Sequence, residues 1–294
     1  MKKIVFRGVA TALVTPFENG EIDFAALGRL IDMQVDSGVS AIVIAGTTGE
    51  SSTLSEDERI RLFGFAAERI CGRVPLILGT GSNDTKTAVK YTKIAERMGA
   101  SASLSVTPYY NKGTERGIIE HYKRIAEATE LPTILYNVPS RTGVNLSLFA
   151  IDELSAYENV VGIKEASDSL DRLTALSTLS ERITLYSGND SQIYPTLALG
   201  GAGVISVASN IIPRTLAELT ERYFSADLTG ALALQKKLLP FISALFTETN
   251  PTPIKYAMSL RGLCKSEVRL PLAEPQESSA KKIKEALDIY RDLL

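Results

Sequence analysis

Two periods of hydrophobicity take turns along this chain. Short runs rich in β-branched residues lie at 9–14, 41–45, 76–79, 102–107, 133–137, 160–164, 184–187 and 204–207, and each reads as a strand. The segments between them place apolar residues three and four apart, the spacing of an amphipathic helix, for example over 23–37, 56–71, 85–98 and 116–129. Ser55 followed by Glu58 predicts a capping box at the start of the second of these helices. Gly38, Gly72 and Gly99 stand where helices are expected to stop.

Eight strand–helix units within about 220 residues predict a (β/α)8 barrel. The competing architecture, a doubly wound sheet, lacks support. No glycine fingerprint follows the first strand, and Gly79-Thr80-Gly81-Ser82-Asn83-Asp84 breaks that pattern at its last position. Past Phe224 the strands stop. Segments 226–247, 253–262 and 278–294 read as helices, with Pro251, Pro253, Pro271 and Pro275 marking the links. The expected division is a catalytic barrel over 1–224 and an all-helical extension over 225–294.

Composition narrows the classes of function. Of 294 residues 45% are hydrophobic, enough for a large core. Acidic residues number 34 and basic ones 32, and no basic block occurs, which argues against nucleic acid and anionic membranes as partners. No stretch has the length of a membrane span, and Arg7 interrupts the start before a signal-peptide core could form, so a cytoplasmic protein is expected. Cys71 and Cys264 lie far apart in no metal-like spacing, which disfavours a disulfide scaffold or zinc site and leaves them to packing. His121 is the sole histidine. A Ser-His-Asp triad and a multi-histidine metal site are thereby disfavoured, and His121 itself, following Glu120, is expected to be solvated or capping. Proton transfer falls to Tyr, Lys, Thr, carboxylates or water. Neither metal nor cofactor is expected.

Lys164 stands inside an apolar run, Val160-Val161-Gly162-Ile163-Lys164-Glu165-Ala166. An ammonium is rarely buried unless paired or uncharged, and a neutral amine attacks carbonyls to form a Schiff base. The plain alternative is a strand-end lysine whose head reaches water. Alternation puts Lys164 on one face with Gly162, which leaves room beside the stem, and turns Glu165 away as a partner. Other strand ends are polar too, as a barrel site requires. They include Gly46-Thr47-Thr48-Gly49, an anion-binding turn or simply loop geometry, and Thr107-Pro108-Tyr109-Tyr110-Asn111. Tyr136 could shuttle a proton or merely pack, and Arg141 could clamp a carboxylate or lie solvated. Ser187-Gly188-Asn189-Asp190 ends the seventh strand. Lys255, opening a helix after two prolines, is the rival nucleophile but is expected on a solvated face. Gly200-Gly201-Ala202-Gly203 could cradle a phosphate, yet no basic residue stands near it in sequence.

Gly46-Thr47-Thr48-Gly49-Glu50, Tyr136-Asn137-Val138-Pro139 and Gly162-Ile163-Lys164-Glu165, in that order, resemble the class I aldolase superfamily that contains N-acetylneuraminate lyase and dihydrodipicolinate synthase. The likeness covers nearly the whole chain. Val106-Thr107-Pro108-Tyr109-Tyr110-Asn111 and the stretch from Asn137 to Gly143 are similar to the synthase branch, with Arg141 the discriminating residue. The resemblance implies condensation of pyruvate with L-aspartate 4-semialdehyde to 4-hydroxy-tetrahydrodipicolinate, on the way to diaminopimelate and lysine. It implies an imine at Lys164 and a proton relay of Tyr136, Thr47 and a neighbouring subunit's Tyr110, within a homotetramer built as a dimer of dimers. Thr48 would hold the pyruvate carboxylate and Arg141 that of the semialdehyde, with backbone near Gly188 and Ile205 lining the cleft. A lyase for N-acetylneuraminate or a keto-deoxy sugar acid is the alternative. Lysine-inhibited members carry an interface pocket that Ser51, Asn83 and Tyr109 match. Thr87 stands there in place of an acid, and Glu56 and Arg59 in place of histidines, so weak feedback by lysine is expected.

Overall fold

The computed structural model describes residues 2–293. In chain order its strands are β1 (Gly8–Ala12), β2 (Phe17–Glu18), β3 (Glu21–Ile22), β4 (Ala41–Ile44), β5 (Leu76–Gly79), β6 (Ala102–Val106), β7 (Thr133–Asn137), β8 (Val160–Glu165), β9 (Thr184–Ser187) and β10 (Gly203–Ser206). All but β2 and β3 run parallel and close on themselves, β1 pairing with both β4 and β10. Helices fall between successive strands, so the fold is a (β/α)8 barrel. The hairpin β2–β3 was not expected, because two-residue strands are too short to show a period. Its turn did carry a signal: Asn19-Gly20, with φ of 54° and 82°, is the dipeptide that tight hairpins favour.

Local chemistry sets the helix ends. Ser55 Oγ accepts from the Glu58 N–H at 3.2 Å, and the Ser55 N–H donates back to Glu58 Oε2 at 2.8 Å. The helix so capped spans Glu56–Ile70. Inside the barrel, β-strand residues Ala10, Val43, Ile77, Leu104 and Ile134 pack into one buried cluster. Tyr186 plugs its lower end, stacked on Phe6 at 4.3 Å and donating from its phenol to the Phe6 carbonyl at 3.1 Å. The room expected at Gly162 is filled by this ring, since a Cβ there would sit 3.0 Å from Tyr186 Cε2. Gly162 thus admits the plug rather than freeing the lysine stem.

Beyond the helix Pro213–Phe224 come three more, Leu228–Ala244, Thr252–Leu260 and Glu277–Ile289. Their apolar faces, with Leu238, Phe241, Ile254, Met258 and Ile283, belong to the same buried cluster as Val9, Leu13 and Leu216 of the barrel. No helix among the described residues is long and apolar enough to cross a membrane. Cys71 and Cys264 are both free. His121 is not solvated: its helix, Glu115–Ala126, turns it inward, where Nδ1 lies 3.0 Å from Thr85 Oγ1. Burial pushes its imidazole down to about 4.

Candidate active site

The C-terminal ends of the strands open on a cavity of about 600 Å³. Thr47, Thr48, Tyr136, Arg141, Lys164 and Gly188 all line it. Lys164 comes from β8 and is 5% exposed. In the parallel register Tyr136 of β7 sits opposite it, and Lys164 Nζ lies 4.2 Å from the centre of the phenol ring. The Tyr136 main chain is pinned, because both the N–H and the hydroxyl of Thr107 donate to its carbonyl at 2.9 Å. Glu165 faces outward as alternation requires. There it accepts from Asn137 Nδ2 at 2.9 Å and pairs with Arg172 Nε at 2.8 Å, so it is committed away from the lysine.

The turn from Gly46 to Glu50 follows Ala45, whose φ is 52°. A Cβ at position 79 would meet the Ala45 carbonyl oxygen at 2.1 Å, so Gly79 on the neighbouring strand permits this path. The Gly49 and Glu50 N–H groups donate to the carbonyls of Gly46 and Thr47, each at 3.1 Å. Those two amides are therefore spent inside the turn. Among the described residues the Thr47 and Thr48 N–H groups donate to no protein acceptor, so the turn offers the cavity these two amides together with the Thr47 and Thr48 side chains. Arg141 sits on the short helix Pro139–Thr142, and its Nη2 donates to the Asn250 carbonyl at 3.0 Å. Gly188 closes tightly on the β8 end, where a Cβ would stand 2.6 Å from Ala166 Cβ.

Other expected residues lie elsewhere. Ile205 is part of the barrel's interior cluster and is absent from the cavity wall, where Val207 stands instead. Its place within β10, one layer below the rim, accounts for the difference. Tyr110 is 88% exposed, with φ of 74°, and does not line the cavity of its own chain. Ser51 and Asn83 also lie outside it. The Ser51 carbonyl accepts from the Arg59 guanidinium, and that of Asn83 from Asn111 Nδ2 at 3.0 Å. Arg59 is buried and stacked over Tyr91 at 4.4 Å.

Lys255 corrects the expectation of a solvated face. It is 0% exposed and donates to Glu50 Oε1 at 2.7 Å and to the Thr15 carbonyl at 2.9 Å. Burial pulls its ammonium down and the Glu50 carboxylate opposes the pull. Proline-rich links had suggested an exposed surface. Instead they lead the helix Thr252–Leu260 against the turn that carries Thr48 and Glu50, and a rival nucleophile becomes a fixed ion pair.

Two kinds of wall residue escaped the sequence. Leu239, Ile242, Phe246 and Asn250 reach the cavity from the helical extension. Asp190 was visible at a strand end but had no role. It is buried in the cavity wall, and its Oδ2 accepts from the Val207 and Ala208 N–H groups at 3.0 and 2.9 Å. Burial pushes its carboxyl up, against the pull of these bonds.

Comparison with known proteins fits this arrangement. A profile of the dihydrodipicolinate synthetase family matches residues 5–290. The 4-hydroxy-tetrahydrodipicolinate synthase of Alkaliphilus oremlandii is 48% identical over 280 residues, covering 95% of this chain and 97% of that protein. The crystal structure of dihydrodipicolinate synthase from Thermotoga maritima superposes with a TM-score of 0.96 at 43% identity, covering 99% of this chain and 100% of the other. The chloride-inhibited enzyme from Acinetobacter baumannii, complexed with pyruvate, does so with a TM-score of 0.95 at 39% identity, covering 98% and 99%. With a lysine and a tyrosine side by side on neighbouring strands at the barrel rim and likeness along nearly its full length, the chain belongs to the dihydrodipicolinate synthetase family.

Proposed function

We propose that the protein condenses pyruvate with L-aspartate 4-semialdehyde to give 4-hydroxy-tetrahydrodipicolinate, a step toward diaminopimelate and lysine. The observation that carries this is the buried Lys164 against Tyr136 in a cavity with Arg141 at its mouth. The Lys164 amine adds to C2 of pyruvate, and water leaves to give a protonated imine. Loss of a methyl proton makes an enamine, whose C3 bonds to the aldehyde carbon while the aldehyde oxygen takes up a proton. The semialdehyde's amino nitrogen then attacks the imine carbon, and the lysine departs as the ring closes. Tyr136, Thr47 and a partner's Tyr110 form the relay for these protons. The exposure of Tyr110 supports its donation to a second copy; the homotetramer follows from the family resemblance. Thr48 holds the pyruvate carboxylate, and main chain at Gly188 and near Ile205 borders the cleft. We place the division of the chain after Phe224 and the protein in the cytoplasm.

Arg141→Ala tests the second substrate. It is expected to lower kcat/KM for the semialdehyde about a hundredfold, the effect of a lost charge-assisted pair, while pyruvate is still trapped on Lys164 by borohydride. A keto-deoxy sugar aldolase would barely respond. A coupled assay with both substrates, run beside N-acetylneuraminate, completes the test.

Feedback by lysine is expected to be weak. At Ser51, Asn83 and Tyr109 an incoming ammonium meets the Arg59 cation, while Thr87 is committed to Asp84 at 2.5 Å and Glu56 to Lys90 at 2.6 Å. Like charges repel, and the Asp84 carboxylate nearby is already taken up by the Thr87 hydroxyl and N–H. Half-inhibition at sub-millimolar lysine in an activity titration would refute this.

A further inference from the structure

We infer that Asn250 is a positioning residue for pyruvate recognition, setting the Thr48 hydroxyl as a donor toward the bound carboxylate; this rests on the function proposed above. Asn250 precedes the helix Thr252–Leu260, is 6% exposed and lines the cavity. Its Nδ2 donates to Thr48 Oγ1 at 2.9 Å. A hydroxyl has one proton to give and room for two to receive. With one acceptor site filled from behind by the amide, the Thr48 proton is left for an acceptor in the cleft. Among the described residues Thr48 Oγ1 donates to no protein group, so a ligand oxygen is its natural partner.

The same residue touches the other group that reads a carboxylate. Its main-chain oxygen receives Arg141 Nη2 at 3.0 Å. One buried amide of the extension therefore holds the pyruvate side through its side chain and the semialdehyde side through its backbone. The side chain alone is open to substitution, which makes the two roles separable. An aspartate of the same size would accept the Thr48 proton instead of filling its lone pair. It would turn the hydroxyl away from the cleft and add negative charge beside an anion.

The test follows imine formation without the second substrate. Borohydride-trapped protein is quantified by mass spectrometry as pyruvate is raised, giving a half-saturation for each variant. Asn250→Ala should raise that value about tenfold and Asn250→Asp about a hundredfold. In steady-state assays KM for pyruvate should rise more than KM for the semialdehyde, with the loss concentrated in KM rather than kcat. Thr48→Val should raise the pyruvate half-saturation by itself, and Asn250→Ala should add nothing further in that background, because both act through one hydroxyl. Multiplying effects in the double variant would overturn the inference. So would a half-saturation within about twofold of the parent, or parallel losses in both KM values, kcat and thermal midpoint. The near-isosteric aspartate carries the test if the alanine variant does not fold. A parent protein that traps no pyruvate at any concentration would instead sink the proposed function, and this inference with it.

Discussion

Lys164→Arg is expected to slow turnover by at least about a thousandfold, the scale on which enzymes lose their covalent nucleophile. Arginine keeps nearly the length and the flexible stem of the lysine, so folding should survive. Its guanidinium cannot be deprotonated in a protein, so no imine forms. Borohydride and pyruvate should add mass to the parent and none to the variant. That measurement also decides between two buried lysines. The Lys255 amine is engaged by Glu50 and Thr15, and Lys164 alone of the two lines the cavity. A variant that still trapped pyruvate would move the chemistry to another residue. Turnover at the parent's rate would end the imine scheme.

Glu50→Gln should destabilise the protein by about 3–5 kcal/mol, the usual effect of stranding one member of a buried ion pair. Both side chains are nearly inaccessible, at 0% for Lys255 and 1% for Glu50. The Phe17 ring face at 4.3 Å and the Thr15 carbonyl at 2.9 Å attract the orphaned ammonium but offset only part of the lost carboxylate. Glu50 also accepts from the Arg269 N–H at 2.9 Å, a bond the glutamine can keep. Removing both charges, as in Glu50→Gln with Lys255→Met, should recover most of the loss, because a paired burial gains little over well-packed neutral groups. Denaturant midpoints of the three variants and the parent decide it. A single variant within about 1 kcal/mol of the parent, or a double no better than the single, would contradict this account.

The barrel was legible because each element announced itself locally. Strand runs, helix periods, the Ser55–Glu58 cap and the glycine stops are near-neighbour patterns, and the structure repeats them with strand ends shifted by a residue or two and helix ends by up to five. Parity along Val160–Glu165 was equally local, and it correctly separated the lysine's face from the glutamate's. What depended on distant partners stayed hidden. Lys255 and Glu50 are 205 residues apart, and nothing beside either one tells of the other. The same holds for Asn250, whose contacts with Thr48 and Arg141 span 202 and 109 residues. Gly162 was read for empty space, when the filling group, Tyr186, arrives from the next strand.

The helices after Phe224 supply one wall of the cleft and share the barrel's buried cluster. The catalytic unit therefore does not end with the eighth barrel strand. Exchange of this tail between relatives, whether by recombination or by design, trades away a piece of the catalytic chamber. A hybrid with eight faultless strands could inherit every reactive group and still bind its first substrate poorly.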